Sequence, residues 1–371
     1  MIVRPLPQLL PVKAARRKAA PPRRGRAARR ALAWGVAVVA LAQLAFATAV
    51  ETALPLIRDP EFGHHQTRAA KLQTAHPDRP LVLVLGTSRA QNAVDPAAMP
   101  FADEPGSPLV FNGGISGSRP VNLPLTLRRY RDSGLKPTAV LVEVFPATLD
   151  VDGPPDYLFA DVEHRLTAAD VRHLGPYLGD PAGFWCKWAL SRANSLHVLR
   201  TGIVGSIAPQ WQKVRSTDYS WPKLGPDGFI PYPYDEVPDE YRERRRAAMQ
   251  KTYAGTLRDL RVSALSARAY RDLVAECRAA GIPVAFFLAP ESPVFRSWYS
   301  PEGRATVAAF TRMLSDELGA PVFDAPTDYR EEDFADGHHM LPPGARRFSR
   351  DLAERHMKPW LAATAPAGER R

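Results

Sequence analysis

The chain has 371 residues, of which 45% are apolar, so it can bury one sizeable core and is too apolar for global disorder. Ten of its 49 Lys and Arg residues precede Ala31, where there is no Asp or Glu, and the remaining basic residues balance the 39 acidic ones. The net charge of +10 therefore belongs to a terminal tail, and the composition of the rest gives no support to a nucleic-acid partner.

The first element along the chain is an apolar run over residues 31–50, in which Gln43 is the one strongly polar side chain. A helix of that length spans about 30 Å, the thickness of a bilayer's hydrocarbon core. Because basic residues favour the cytoplasmic side, we expect residues 1–30 to be a cytoplasmic tail and residues 31–52 a transmembrane anchor. The main domain would then be exported from a bacterial-type inner membrane. Signal-peptide cleavage near residues 45–49 is the alternative, and it would secrete the domain.

Residues 53–79 are predicted to form a juxtamembrane linker with a short polar helix. From residue 80 to residue 365, apolar runs alternate with helical patterns, and residues 366–371 form a tail. The predicted strands are residues 81–86, 108–114, 138–145, 282–290 and 320–325. The predicted helices are residues 120–135, 266–281, 303–319 and 342–362. This alternation is typical of a parallel sheet covered on both faces. The expected fold class is α/β, a three-layer αβα sandwich with a mostly parallel sheet of about five strands.

The stretch from about residue 147 to residue 261 breaks this alternation. It is rich in Pro, Tyr, Trp and charged residues, and its periodicity is weak. Because it is too long for an ordinary loop, we interpret it as an insertion at the carboxyl edge of the sheet, where ligands bind in open α/β sheets.

The first candidate for chemistry is Ser88, which follows the strand-forming run Leu81–Leu85 and precedes a predicted helix. A serine at that turn can expose its hydroxyl beside backbone N–H groups that stabilise developing negative charge. Serine is also a common helix cap, so the position alone does not establish a nucleophile.

A second candidate lies in the motif "DGHHMLPPG", in which Asp336 and His339 are three residues apart just before a helix. This spacing allows a carboxylate to orient one imidazole nitrogen while the other faces a serine. His338 is the competing histidine, and the His338–His339 pair with nearby Asp333 and Asp336 offers a metal site as the alternative. Solvated loop residues are the second alternative, and we expect no metal or other cofactor.

A third candidate is the segment "FNGGISG" after the second strand, whose glycines Gly113, Gly114 and Gly117 allow a ligand to approach backbone N–H groups closely. A phosphate-binding loop is the alternative, but the segment lacks both the G-x-x-x-x-G-K-[ST] and the G-x-G-x-x-G patterns.

Together, "GTS", "NGGISG" and "DGHHMLPPG" resemble the first, second and fifth sequence blocks of the SGNH/GDSL hydrolase superfamily over about residues 80–146 and 266–362. The resemblance implies that Ser88 is the nucleophile, His339 the general base and Asp336 its orienting partner. It also implies that the backbone N–H groups of Ser88 and Gly117 bind the oxyanion. Membrane-anchored envelope proteins of the alginate and lipoteichoic-acid acylation machinery have a similar layout.

Two positions depart from the superfamily pattern. Thr87 replaces the acidic residue of the first block, and "VEVFPATLD" stands where the third block has Gly-x-Asn-Asp. A side-chain oxyanion donor would then have to come from Asn112, Asn92 or Arg89, and we expect Asn112 or Arg89 close to Ser88, with Asn112 favoured.

Three features of the sequence leave alternatives open. Glu143 either pairs with an arginine near the site or sits at the end of its strand. Cys186 and Cys277 have no metal-type spacing, and they either form a disulfide in an oxidising compartment or remain separate thiols. The sequence does not determine the oligomeric state.

Two functions follow from these expectations. One is a membrane-anchored serine esterase or O-acyltransferase whose partners are the lipid bilayer and an envelope glycan or lipid substrate. The other is a non-catalytic envelope binding or scaffold protein with a degenerate fold of the same type.

Overall fold

The computed structural model describes residues 24–101, 107–150, 163–208, 211 and 221–364. The predictions for residues 1–23 and for the tail at 366–371 therefore lie outside the described residues, as does part of the expected insertion. The helices are α1 Arg24–Thr52, α2 Pro55–Arg58, α3 Pro60–Ala75, α4 Ser88–Ala93, α5 Asn122–Asp132, α6 Ala168–Leu174, α7 Pro181–Ala193, α8 Ser195–Val198, α9 Arg200–Ile207, α10 Asp239–Arg258, α11 Ala264–Ala279, α12 Pro293–Arg296, α13 Pro301–Arg312, α14 Pro342–Leu352 and α15 Lys358–Thr364.

One helix within the described ranges, over residues Gly25–Thr52, is long and apolar enough to cross a membrane. Its apolar side chains are mostly exposed, as in Trp34, Leu41 and Leu44. A buried core helix would instead cover such side chains with other parts of the chain. The N-terminal apolar helix expected from the sequence is confirmed.

The sheet has five parallel strands in the order β2-β1-β3-β4-β5. Their bounds are β1 Leu81–Leu85, β2 Leu109–Asn112, β3 Ala139–Glu143, β4 Val284–Phe287 and β5 Val322–Phe323. The α/β class and the five-stranded parallel sheet are thus confirmed. Because the chain leaves β1 for β2 on one side and then returns to β3 on the other, the loops after β1 and β3 diverge, which opens a crevice at the carboxyl edge.

Each strand is apolar on both faces, because alternate residues contribute to two separate clusters. Leu81, Leu83 and Leu85 pack in one cluster with residues of α3, α5 and α11. Val82 and Val84 pack in the other with residues of α4 and α14. Continuous apolar runs such as "LVLVL" are what this two-sided burial requires.

The helices expected between the strands are present as α5, α11, α13 and the pair α14 and α15. The connection from β3 to β4 runs from residue 144 to residue 283 and contains α6 to α11. No helix was predicted for α10, because polar and charged side chains occur on all its sides and Leu257 is its one buried residue. Cys186 is exposed and Cys277 is buried, and both are free thiols.

A buried ion-pair junction around Arg129 joins three helices. The guanidinium of Arg129 on α5 lies 2.8 Å from Asp59 and 2.8 Å from Asp170. Asp59 caps α3 by accepting from the Phe62 amide, and Asp170 forms a capping box with Thr167 at the start of α6. Arg129 therefore neutralises two carboxylates that also cap the N-termini of helices.

We expect Arg129→Ala to lower the free energy of unfolding by about 3 kcal/mol, because two largely buried carboxylates would lose their cation. Denaturant titration of the purified protein in detergent measures the change. Arg128→Ala is the matched control, since the Arg128 side chain is 44% exposed and 4.0 Å from Glu276, and it should cost less than about 0.5 kcal/mol. Equal effects of the two variants would contradict the role of the junction.

Candidate active site

The turn after β1 places Ser88 at the first position of α4. Thr87 is the N-cap, and its hydroxyl accepts from the Arg89 amide at 3.1 Å. Gly86 allows the turn to come close to β3, because a Cβ at residue 86 would lie 2.5 Å from the Ala90 Cβ and 2.7 Å from Glu143 Oε2. The cap at this turn is thus Thr87, which leaves the Ser88 hydroxyl for another partner.

Ser88, His339 and Asp336 form a continuous hydrogen-bonded line. Ser88 Oγ lies 2.8 Å from His339 Nε2, and His339 Nδ1 lies 2.8 Å from Asp336 Oδ2. Since the carboxylate can only accept while ionised, it assigns the proton to Nδ1 and leaves Nε2 to accept from the serine hydroxyl. The structure therefore brings together three residues that the sequence singled out in segments about 250 positions apart.

The loop that carries Asp336 and His339 is fixed by its own backbone. Gly337 has a φ of 101°, which permits the sharp turn between the two residues. Asp336 Oδ1 accepts from the amides of His339 at 3.0 Å and His338 at 3.3 Å. Burial alone would raise the pKa of Asp336, but the neighbouring His339, whose ring and backbone N–H groups donate to the carboxylate, outweighs it and lowers that pKa well below its usual value. Asp336 therefore stays ionised beside the imidazole.

His338 is buried in an aromatic cluster. Its ring stacks on Phe145 and also contacts the rings of Tyr253 and Phe295. Burial is the main cause that lowers the pKa of His338 well below its usual value. A neutral ring packed among aromatic side chains supports the loop from within, and we assign His338 to packing.

The three residues Asp336, His338 and His339 are also the group that a metal site would use, since one ligand atom from each lies within 4.8 Å of the others. The 2.8 Å between His339 Nδ1 and Asp336 Oδ2 is a hydrogen-bond distance. Ligands held about 2.0–2.2 Å from a tetrahedral zinc would be separated by more than that. The geometry therefore fits an oriented imidazole better than a metal centre.

Glu143, at the end of β3, holds the backbone of the turn that carries Ser88. Its Oε2 accepts from the Thr87 amide and the Thr87 hydroxyl, both at 2.8 Å, and from the Ala90 amide at 3.3 Å. The Arg89 amide is already bound by Thr87. No hydrogen bond within the described part of the chain uses the Ser88 amide, so this N–H remains available at the nucleophile.

Arg89 pairs with the Glu143 carboxylate and holds it in place. Its side chain is 1% exposed and lies 3.5 Å from Glu143 and 3.1 Å from Glu291. It also donates to the Ala289 carbonyl at 2.7 Å and stacks over the Phe145 ring. Of the two alternatives for Glu143, the structure places it in an ion pair with an arginine. The guanidinium of Arg89 therefore interacts with buried protein groups.

The Asn112 side chain also interacts with buried protein groups. Its amide nitrogen donates to the carbonyls of Ala90 at 2.9 Å and Val94 at 2.6 Å, and its Oδ1 accepts from the Gly114 amide at 3.0 Å. With both amide hydrogens used, Asn112 fastens α4 to the glycine loop. This corrects the expectation that Asn112 is the third oxyanion donor. Asn92 donates to the Ile230 carbonyl instead.

Gly117 lies exposed in the loop after β2 with a φ of 72°. Its amide takes part in none of the hydrogen bonds found among the described residues. Like the Ser88 amide, it is a backbone N–H without a hydrogen-bond partner in the described ranges of the chain.

Sequence reasoning missed two charged residues at the site. Glu291 follows β4 and accepts hydrogen bonds from the Arg89 guanidinium and the Tyr299 hydroxyl. Burial raises the pKa of Glu291. Arg245 on α10 lies 3.8 Å from Asp336. The position of Glu291 just beyond a strand at the carboxyl edge was a usable signal, but Arg245 lies in the aperiodic segment, where no pattern marked it.

No protein-family model matches this chain, and no curated protein is similar to it at a significant level.

We expect Glu143→Gln to lower the free energy of unfolding by about 1–3 kcal/mol, because Arg89 would lose a carboxylate and an amide NH2 would face donors. Thermal or denaturant unfolding measures the change. Glu332→Gln is the control, since Glu332 is half-exposed and pairs with the exposed Arg330. A loss for Glu143→Gln no larger than that of the control would contradict this role of the ion pair.

Proposed function

We propose that this chain is a membrane-anchored serine esterase or O-acyltransferase that acts on an envelope glycan or lipid. The observation that carries the proposal is the line from Ser88 through His339 to Asp336, with both contacts at 2.8 Å. Serine is a weak nucleophile unless an adjacent base removes its proton, and an oriented imidazole at hydrogen-bond distance is such a base.

In the proposed reaction, Ser88 Oγ attacks the ester carbonyl while His339 Nε2 takes the hydroxyl proton. The tetrahedral intermediate collapses with cleavage of the bond to the alcohol, which leaves with the proton from His339. The acyl group is then bound to Ser88 Oγ. Water, in an esterase, or an acceptor hydroxyl, in a transferase, attacks it in a second step with His339 as base, and Ser88 regains its proton.

Asp336 serves this reaction by holding His339 in the required tautomer and by stabilising the imidazolium that forms. The N–H groups of Ser88 and Gly117 are the proposed donors to the oxyanion. Glu143 supports the first of them indirectly, because it occupies the competing amides of Thr87 and Ala90. We treat Glu143 and Arg89 as positioning residues for this turn.

Both expected side-chain oxyanion donors have other partners among the described residues, and this favours the second candidate, a non-catalytic envelope binding or scaffold protein. The side chains of Asn112 and Arg89 donate their hydrogen bonds to backbone carbonyls instead. Removing one donor from an oxyanion hole typically costs about 10²–10³ in turnover. If the reaction needs the side-chain donor of the superfamily pattern, a site without it would be slower by that factor or non-catalytic.

The wider proposal follows the resemblance to SGNH/GDSL hydrolases. We infer a three-layer αβα domain over residues 80–365 with an insertion at about 147–261 that borders the carboxyl edge. The contact between Arg245 and Asp336 supports this position of the insertion. With α1 as a single-pass anchor, the N-terminus would lie in the cytoplasm and the domain outside, and signal cleavage remains the alternative.

We expect a fluorophosphonate probe to label the purified protein covalently, and Ser88→Ala to abolish the labelling, because the probe reacts with an activated serine. His339→Ala should reduce the labelling rate by about 10³-fold or more, since the base is then absent. Time-resolved in-gel fluorescence measures the rate. Circular dichroism of each variant confirms that the fold is retained.

His338→Phe is the matched control for this experiment. His338 packs among aromatic rings, and its Nδ1 makes no hydrogen bond in the described structure, so a phenyl ring should leave the labelling rate within about threefold of the wild-type rate. A folded wild-type protein that does not react with the probe would favour the scaffold function. If His338→Phe loses the labelling and His339→Ala keeps it, the general base is His338 and the assignment to His339 is wrong.

We expect a periplasm-dependent reporter fused after Arg371 to be active and a cytoplasm-dependent reporter at the same position to be inactive. The physical reason is the excess of basic residues before α1, which are retained on the cytoplasmic side. Immunoblotting of the fusion distinguishes the anchored protein from a cleaved product by mass. Activity of the cytoplasm-dependent reporter would reverse the proposed topology.

A further inference from the structure

The polar side chain within the apolar helix α1 has partners from a distant part of the chain. Gln43 Oε1 accepts from the Ser195 hydroxyl and from the Leu196 amide, both at 3.2 Å. Gln43 lies seven residues before Val50, the end of the apolar run, which is about 10 Å along a helix. The segment around Ser195 therefore reaches about a third of the way down the apolar run of α1.

The covered face of α1 is a stripe at helical spacing. Gln43, Phe46, Ala47 and Val50 are partly or fully buried, whereas Leu41 and Leu44 are exposed. Helices α2, α7 and α8 contact α1. This stripe shows that the contact is a packed helix face that continues from the end of α1 down to Gln43.

A charged contact fixes the upper limit of this face. Glu51, at the end of α1, pairs with Arg192 of α7 at 3.2 Å and accepts from the Ala168 amide at 2.6 Å. Polar groups at this level satisfy one another, as groups at the membrane–water boundary require. Between Arg192 and Ser195 the chain passes from this polar level to the level of Gln43.

The composition of the helices that descend beside α1 fits lipid. From Pro181 to Ala208 there is no Asp or Glu, while Lys187, Arg192 and Arg200 are basic. The stretch also contains two tryptophans, Trp185 and Trp188. Basic residues without acidic ones, together with Trp, are typical of segments that lie in the interface of a membrane with anionic lipids.

Large apolar side chains of this segment are uncovered. Leu190 is 65% exposed, Leu196 is 39% exposed and Ile207 is 77% exposed. Leu196 is adjacent to Ser195, which fixes its level opposite Gln43. At that level a spanning α1 would be surrounded by acyl chains, so water does not reach the exposed face of Leu196.

We propose that α7 to α9, residues Pro181–Ile207, form a second membrane-embedded segment that enters the bilayer beside α1, in the half nearer the main domain. The occupant of its exposed apolar face is lipid. Gln43 is the polar clamp that joins the two segments, since an unpaired amide oxygen in hydrocarbon would cost several kcal/mol. The proposal requires α1 to span the membrane, but it does not depend on catalysis.

The experiment uses the full-length protein in nanodiscs of phosphatidylcholine and phosphatidylglycerol. In a Cys186→Ser background, the remaining thiol, Cys277, is fully buried. Leu196→Cys and Leu190→Cys are each spin-labelled, and the accessibility of the label to oxygen and to a water-soluble nickel chelate is measured. Oxygen concentrates in acyl chains, whereas the chelate is excluded from them.

Two matched controls calibrate the measurement. Leu41→Cys places the label on the exposed face of α1, and Tyr234→Cys places it on a residue that is 55% exposed and remote from these helices in sequence. We expect Leu196→Cys to resemble Leu41→Cys, with strong oxygen and weak nickel accessibility. Leu190→Cys should be intermediate, and Tyr234→Cys should show the reverse ratio.

Three results would overturn the proposal. A Leu196→Cys label as accessible to nickel as that of Tyr234→Cys would place the segment in water, although the anchor would still stand if Leu41→Cys reports lipid. A label shielded from both oxygen and nickel would mean that protein covers the face. Nickel access at Leu41→Cys would remove the anchor itself and with it the embedded segment. None of these results bears on the reactivity of Ser88.

Discussion

The carboxylate of Glu143 is the constraint from which the geometry of the candidate site follows. It ends β3, and it accepts from the backbone on both sides of Ser88, through Thr87 and Ala90. A buried carboxylate needs compensation, and Arg89, the residue next to the serine, supplies it. The turn that carries Ser88, Glu143 at the end of β3 and the Arg89 side chain thus form one unit. The loss of any one of them leaves a buried charge or a buried amide without a partner.

The parallel sheet makes this unit possible and brings the remaining residues to it. β1 and β3 are neighbours, so the turn after β1 lies within reach of a side chain at the end of β3. The loop with His339 follows β5 in the chain and returns to Ser88. It is closed into a compact turn, because the Ala335 amide donates to the His339 carbonyl and Phe334 pairs with Met340. Such convergence of strand ends is general for open α/β sheets.

The sequence predicted the strands and the three reactive segments, because apolar runs that end at small or polar residues are local signals. It left the pairing of Glu143 with an arginine as one of two alternatives, and it could not predict the partners of Asn112. An asparagine before two glycines fits either an oxyanion donor or a loop clamp, and only the position of the Ala90 and Val94 carbonyls decides for the clamp. Helix α10 escaped prediction for another reason, since a helix that is polar on all sides has no periodicity to detect.

The contacts that lead away from the membrane helix end near the proposed oxyanion loop. Glu51 of α1 binds the start of α6 through the Ala168 amide, and Asp170 of α6 binds Arg129 of α5. Helix α5 begins shortly after the loop that contains Gly117. In a protein anchored by α1, this series of ion pairs and helix caps would hold the candidate site at one height and orientation relative to the bilayer. Under the proposed function, a lipid or a glycan close to the surface would have to present its ester to Ser88 at that height.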